Sequence, residues 1–231
     1  MESGLRSISL SPSVRTVRQS AFCGCPNLEG ATLNEGLEEL GTREYSSDGS
    51  RWHGVFEGSA IKNVRLPSTL KRIEYGAFRE CTRLRTIAFP EGFERVGPVS
   101  FAGVGLERVE FPASLKTIGQ ASFYSCKSLG HVKFSEGLEV LIRSSTPTAT
   151  GTAECLRRVL WSVELPATLK EVKRSTFRGC KRLKGTELPN GLEYIGEHCF
   201  QESALEFISL PPKLKTIGSY TFYRCEGLTN T

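Results

Sequence analysis

Between residues 66 and 134 the chain says nearly the same thing three times. Leu66-Pro67-x-x-Leu70-Lys71-x-Ile73 leads to Ala77-Phe78-x-x-Cys81-x-x-Leu84-x-x-Ile87-x-Phe89. Phe89-Pro90-x-x-Phe93-Glu94-x-Val96 leads to Phe101 and Leu106-x-x-Val109-x-Phe111. Phe111-Pro112-x-x-Leu115-Lys116-x-Ile118 leads to Phe123, Cys126 and Leu129-x-x-Val132-x-Phe134. Units this short cannot each enclose a core. They bury their apolar faces on one another, so the chain is expected to stack unit on unit.

Anchoring each unit on the apolar residue that usually precedes proline gives Leu10, Leu33, Leu66, Phe89, Phe111, Phe134, Leu165, Leu188 and Leu210, hence about nine units. The steps are 23, 33, 23, 22, 23, 31, 23 and 22 residues. The long steps fall where 22 is expected, and so carry insertions of 11 and 9 residues, at about 42–53 and 143–153. The period is therefore a double unit of 45 residues. Side chains alternate with it. Odd units carry Cys25, Cys81, Cys126, Cys180 and Cys225 three residues after an aromatic, where even units have Ser59, Val104 or Ser203. Odd units place Arg15, Lys71, Lys116, Lys170 and Lys215 where even units place Glu38, Glu94, Glu139 and Glu193. Stacked, these write a ladder of alternating charge, which favours the intended register because like charges side by side oppose it.

Within a unit, Leu-x-x-Ile-x-Phe alternates with period two, the signature of a short strand with one buried face. Such strands stacked in sequence pair in parallel. Leu-Lys-x-Ile reads as a second short extended segment, ended by Gly97, Gly119, Gly196 or Gly218. The stretch around each aromatic is too short for a long helix and is expected to be a single helical turn or irregular. Eight units supply the ring, Phe22, Phe56, Phe78, Phe101, Phe123, Phe177, Phe200 and Phe222, predicting a stacked spine. In the sixth unit the aromatic slot falls on Cys155, preceded by a Ser- and Thr-rich stretch at 144–152 that reads as a flexible loop.

The unit Leu-x-x-Ile-x-Leu-Pro-x-x-Leu-x-x-Ile-Gly-x-x-Ala-Phe-x-x-Cys, matched almost throughout by 106–126 and 205–225, resembles the BspA-like, Treponema-type leucine-rich repeat. The resemblance covers the whole chain except the two insertions. It implies one leucine-rich repeat solenoid domain over 1–231, with a parallel β-sheet on the concave side and short strands, turns and single helical turns elsewhere. It also implies a non-enzymatic binding protein, many members of the family being adhesive surface proteins of bacteria and protists.

Several function classes find no support in the residues. The net charge of +5 is too small and dispersed to argue nucleic acid. No apolar run approaches the roughly 18 residues of a membrane span. No signal peptide opens the chain. Both ends read as interior repeat halves without polar caps, so the chain is expected to be a segment of a longer protein. The regular cysteines recur every second unit, about 10 Å apart along a stack, beyond the roughly 7 Å a disulfide allows. They read as buried, reduced thiols, which favours an intracellular setting, while the family resemblance allows the cell surface. Cys23-Gly24-Cys25 is half a metal site with no partner, so no metal and no cofactor are expected. His53, His131 and His198 occupy three different slots, and no nucleophile, base and acid converge.

The remaining candidate is a binding surface for a protein or other macromolecule. On the concave sheet the third and fifth positions of Leu-x-x-Ile-x-Leu point away from the core. They offer Asn63, Arg65, Arg108, Glu110, His131, Lys133, Glu164 and an exposed Phe207. Tyr45 and Trp52 in the first insertion join them as loop candidates. The function expected is therefore an interaction scaffold, the alternative being a structural spacer or a subunit of a larger assembly.

Overall fold

The structure, a computed structural model, describes residues 4–41, 53–119, 121–141 and 160–229. The two insertions lie outside the described residues apart from His53, and so do Tyr45, Trp52 and Cys155. Fourteen short strands follow in order: β1 (Ser7–Ser9), β2 (Gly30–Thr32), β3 (Glu39–Leu40), β4 (Asn63–Arg65), β5 (Arg72–Ile73), β6 (Arg95–Val96), β7 (Arg108–Phe111), β8 (Thr117–Ile118), β9 (His131–Phe134), β10 (Val140–Leu141), β11 (Ser162–Glu164), β12 (Glu171–Val172), β13 (Tyr194–Ile195) and β14 (Thr216–Ile217).

They form two parallel ladders. The strands before the anchors pair as β1-β2-β4 and as β7-β9-β11. The second extended segments pair as β3-β5-β6-β8 and as β10-β12-β13-β14. Every pairing is in register, unit on unit, with Val109 opposite Val132 and Val172 opposite Ile195. The first ladder is broken at 86–88 and does not continue through 185–187, where Ala88 and Gly185 stand in outward slots; both are poor strand formers.

Of the two expectations for the stretch around each aromatic, a helical turn or irregular backbone, the described residues show turns and no helix, for a conformational reason. Around most of the rings the residue two before and the residue two after both lie in the left-handed region: Val99 (φ 47°) and Gly103 (φ 72°) around Phe101, Ala121 (φ 52°) and Ser125 (φ 59°) around Phe123, His198 (φ 55°) and Glu202 (φ 59°) around Phe200. Successive left-handed residues cannot belong to a right-handed helix. The alternation instead aims N–H groups at the next unit: Phe78 N donates to the Ser100 carbonyl at 2.8 Å, and Glu80 N to that of Ala102 at 2.7 Å. The turn side of the stack is thus hydrogen-bonded from unit to unit as well.

Between these layers lies the core. Phe22, Phe56, Phe78, Phe101 and Phe123 stack at centroid spacings of 5.3–5.4 Å, and Phe177, Phe200 and Phe222 at 5.4 and 5.8 Å. Phe89, Phe111 and Phe134 make a second row at 5.2 and 5.4 Å. The glycines that close the second segment act through space rather than turn geometry. A Cβ on Gly97 would run into the backbone of Glu74 in the previous unit, and one on Gly196 into that of Arg174.

Candidate functional site

Charge is handled differently on the two ladders. Beside the second ladder, each even-unit glutamate binds the lysine of the following odd unit: Glu38 with Lys71 at 3.0 Å, Glu94 with Lys116, Glu139 with Lys170 and Glu193 with Lys215 at 2.7 Å each. The hydrogen bond from Lys116 holds the Glu94 carboxyl below its ordinary range, and that from Lys215 does the same for Glu193. The alternating ladder is there, and it is electrically closed.

The first ladder is open by comparison. β7, β9 and β11 bring Arg108, Glu110, His131, Lys133 and Glu164 onto one continuous face. Arg108, His131 and Ser162 form one rung, and Glu110, Lys133 and Glu164 the next. Lys133 Nζ lies 3.1 Å from Glu110. Its pKa is raised by the hydrogen bond to Glu110, then by the charges of Glu110 and Glu164. His131 Nε2 lies 3.3 Å from Glu164, and its Nδ1 lies 3.2 Å from Ser162 Oγ. Arg108 forms no ion pair or side-chain hydrogen bond with a described residue.

Asn63 and Arg65 sit on β4, in the separate β1-β2-β4 sheet, and are not joined to this patch by strand pairing. Arg65 also has no ion-pair partner among the described residues, although its charge helps lower the Glu35 carboxyl after the hydrogen bonds from Ser68. Phe207 is 58% exposed, on extended backbone beyond the paired strands, with its ring lying across Gly185.

One residue of this face lies outside the outward slots read from the sequence. Trp161 is 61% exposed, and its indole occupies the space where a side chain at Gly130 would go. It precedes β11 at the second position of the motif, which in most units carries a charged residue such as Lys62, Glu107, Lys184 or Glu206. A tryptophan in a charged column is the signal that could have found it. A glycine one unit back makes room for the ring.

Among the described residues no set of three His, Cys, Asp or Glu side chains is placed to hold a metal ion, and no helix is long and apolar enough to cross a membrane. His53 pairs with Glu57 at 3.3 Å, His131 with Glu164, and His198 with Gln201 at 2.6 Å, so the three histidines serve three separate places.

The sequence matches the family of BspA type leucine rich repeat regions, in six copies, over residues 1–50, 53–145 and 155–231. No curated protein matches it significantly. Among solved structures, it is similar to a leucine-rich repeat protein of Bacteroides ovatus, with 26% identity and a TM-score of 0.64 over 96% of this chain and 59% of that one. It is similar to the leucine rich repeat protein of T. pallidum, with 26% identity and a TM-score of 0.59 over 78% of each chain. A leucine-rich repeat protein of Eubacterium ventriosum shares the fold, with a TM-score of 0.52 at 17% identity over 97% of this chain and 65% of that one. The chain thus spans less than two thirds of the Bacteroides protein's length. Repeat period, parallel ladders and stacked phenylalanines agree with the sequence match, and the chain belongs to the BspA-type leucine-rich repeat family.

Proposed function

We propose that the chain is a non-enzymatic scaffold that binds a protein or other macromolecule through the face of the first ladder, centred on β7, β9 and β11. The observation that carries this reading is the contrast between the ladders. The second neutralises its lysines in register. The first leaves the guanidinium groups of Arg65 and Arg108 without ion pairs among the described residues and the ring of Trp161 open to solvent, and Phe207 is exposed beyond its paired strands. Arginine and tryptophan are the side chains that most often concentrate binding energy at an interface. A preformed parallel sheet also presents them with little ordering cost.

The test is a triple substitution, Arg65→Ala, Arg108→Ala and Lys133→Ala, with Trp161→Ala as a separate variant. Both are assayed against a partner first identified by cross-linking to the intact protein. The reading expects at least a tenfold loss of affinity in each variant with an unchanged melting temperature. Full affinity in both would overturn it and favour a spacer or assembly subunit that makes its contacts elsewhere.

A further inference from the structure

The fourth unit leaves a dent on the turn side of the stack. After the aromatic, the third and fifth units carry long polar side chains, Arg79 and Glu80 in one and Lys127 in the other, whereas the fourth unit has only Gly103-Val104-Gly105. The third and fifth units stand on either side. The result is a half-open recess of about 220 Å³ floored by those three residues. Side chains would close it. A Cβ on Gly103 (φ 72°) would collide with the Glu80 carboxylate, and one on Gly105 would collide with the Thr82 carbonyl and the Arg85 guanidinium. The corresponding residues of the eighth unit, Glu202-Ser203-Ala204, all carry side chains.

The walls are chemically mixed. Glu80 and Arg85 come from one side and Lys127 and Ser128 from the other. Arg85 is positioned by its own contacts: one guanidinium nitrogen donates to the Gly105 carbonyl at 3.1 Å and to Ser128 Oγ at 3.4 Å. Its remaining N–H groups, the Glu80 carboxylate and the Lys127 ammonium have no partner among the described residues, although glutamates and lysines elsewhere on this chain are so regularly paired.

We propose that this recess binds the carboxylated sugar residue of an acidic glycan. Two cations and one carboxylate leave a net positive charge of one, which a single anionic ligand group balances. A carboxylate fits a guanidinium that still has free N–H donors. The acceptors that remain, the Glu80 carboxylate and the wall hydroxyls, call for a ligand that is also rich in O–H donors, which a peptide carboxylate is not. The volume suits one monosaccharide rather than a chain, and the open side lets a glycan run on into solvent. The site is built from the turns after the aromatics and from Arg85, and uses none of Arg65, Arg108, Lys133 and Trp161, so its test is separate from that of the scaffold reading.

The experiment titrates D-glucuronate into the intact protein by calorimetry, with D-glucose and N-acetyl-L-glutamate as comparison ligands. Glucuronate should saturate one site. Glucose should fail to bind, and N-acetyl-L-glutamate should bind at least tenfold more weakly. Lys127→Ala and Arg85→Gln should each weaken glucuronate about tenfold, a loss of about 1.4 kcal/mol, while Lys215→Ala leaves it unchanged. Because Arg85 also bonds the Gly105 carbonyl, its variant is read together with its melting curve, and Lys127→Ala carries the result if Arg85→Gln unfolds. Absence of saturable glucuronate binding overturns the proposal. So does equal binding of glucose, equal binding of N-acetyl-L-glutamate, or full affinity in Lys127→Ala.

Discussion

Ser59 Oγ and Cys81 Sγ meet at 3.5 Å in the interior, and the Cys81 thiol donates to the Phe56 carbonyl at 3.0 Å. The same couple recurs six units later, with Ser203 and Cys225 at 3.3 Å and the Cys225 thiol on the Phe200 carbonyl at 3.0 Å. Cys126 donates to the Phe101 carbonyl at 2.9 Å without a serine, since Val104 stands there. These three odd-unit thiols thus each bond a carbonyl of the even unit before them. The Glu–Lys bonds tie the same even–odd partners, Glu38 with Lys71 and Glu94 with Lys116. The 45-residue period is therefore a physical couple with an inner and an outer clasp.

Removing the inner clasp takes the Cys81 partner from the buried Ser59 hydroxyl and one of two donors from the Phe56 carbonyl, which still accepts from Ser59 N at 2.9 Å. Cys81→Ala should destabilise the chain by about 1–3 kcal/mol, the cost of leaving the buried Ser59 hydroxyl unsatisfied. Cys81→Ser should recover part of this, because a hydroxyl can also donate to the Phe56 carbonyl. Denaturant midpoints at unchanged slope would measure both, and a neutral Cys81→Ala would refute the clasp. Burial pushes the Cys81 and Cys199 thiols up to about 12, so thiol reagents at pH 8 should find them inert in the folded protein and reactive only after unfolding.

Thr186 points in the opposite direction energetically. It occupies a core slot held elsewhere by Val109, Val132 and Val163 and is 7% exposed, and its hydroxyl has no hydrogen-bond partner among the described residues. Valine keeps the branched shape and removes the unmet hydroxyl. Thr186→Val should therefore stabilise the chain by about 1–2 kcal/mol, seen as a higher melting temperature. A lower one would mean that the hydroxyl is satisfied in solution.

Backbone conformation allows a similar test at Val99. A β-branched residue at φ 47° is held in a region where side chains cost about 1–2 kcal/mol. Glycine removes that strain but adds about 0.5–1 kcal/mol of unfolded-chain entropy. Val99→Gly should come out modestly stabilising, by about 0.5–1 kcal/mol. Ala121→Gly, at φ 52°, should fall in the same direction with a smaller gain, having no branch to relieve. Thermal melts of the two variants side by side would show it, and a destabilised Val99→Gly would contradict the left-handed assignment.

These residues also mark where sequence reading succeeds and where it stops. Period-two alternation placed Val109 and Val132 inside and Arg108 and Lys133 outside, because inward and outward follow from spacing alone. The phenylalanine spine and the Glu–Lys ladder followed from stacking equal units. Spacing carries no information about which exposed groups find each other. Lys133 could not be known to be shared between Glu110 and Glu164 while Arg108, on the same strand as Glu110, stays open. Trp161 stands at the second position of the motif, outside the outward third and fifth, and the glycine that seats it lies 31 residues earlier in the chain. Gly97 was legible as a breaker, but its role is close approach to Glu74, a contact between units that no local pattern records.

The outer clasp makes stability depend on pH in a direction that can be worked out. Glu94 and Glu193 have folded pKa values below the ordinary 4.5, because of the hydrogen bonds from Lys116 and Lys215. The unfolded chain therefore binds protons more readily than the folded one through this range, and stability rises with pH there. The contribution is complete above the ordinary carboxylate pKa. It is lost as pH falls through that value and on through the depressed folded ones. On the alkaline side, Lys170 has its folded pKa raised above 10.5 by Glu139, so its contribution is complete below 10.5 and lost as pH rises beyond it. Melting temperature should be level across neutral pH and decline below about pH 5. The acid decline should be shallower in the double variant Glu94→Gln and Glu193→Gln. Because the pairs are exposed, it should also shrink between about 0.01 M and 1 M salt, where the screening length falls from about 30 Å to 3 Å. An acid slope identical in the double variant would assign the decline to other carboxylates and remove the ladder from the account of stability.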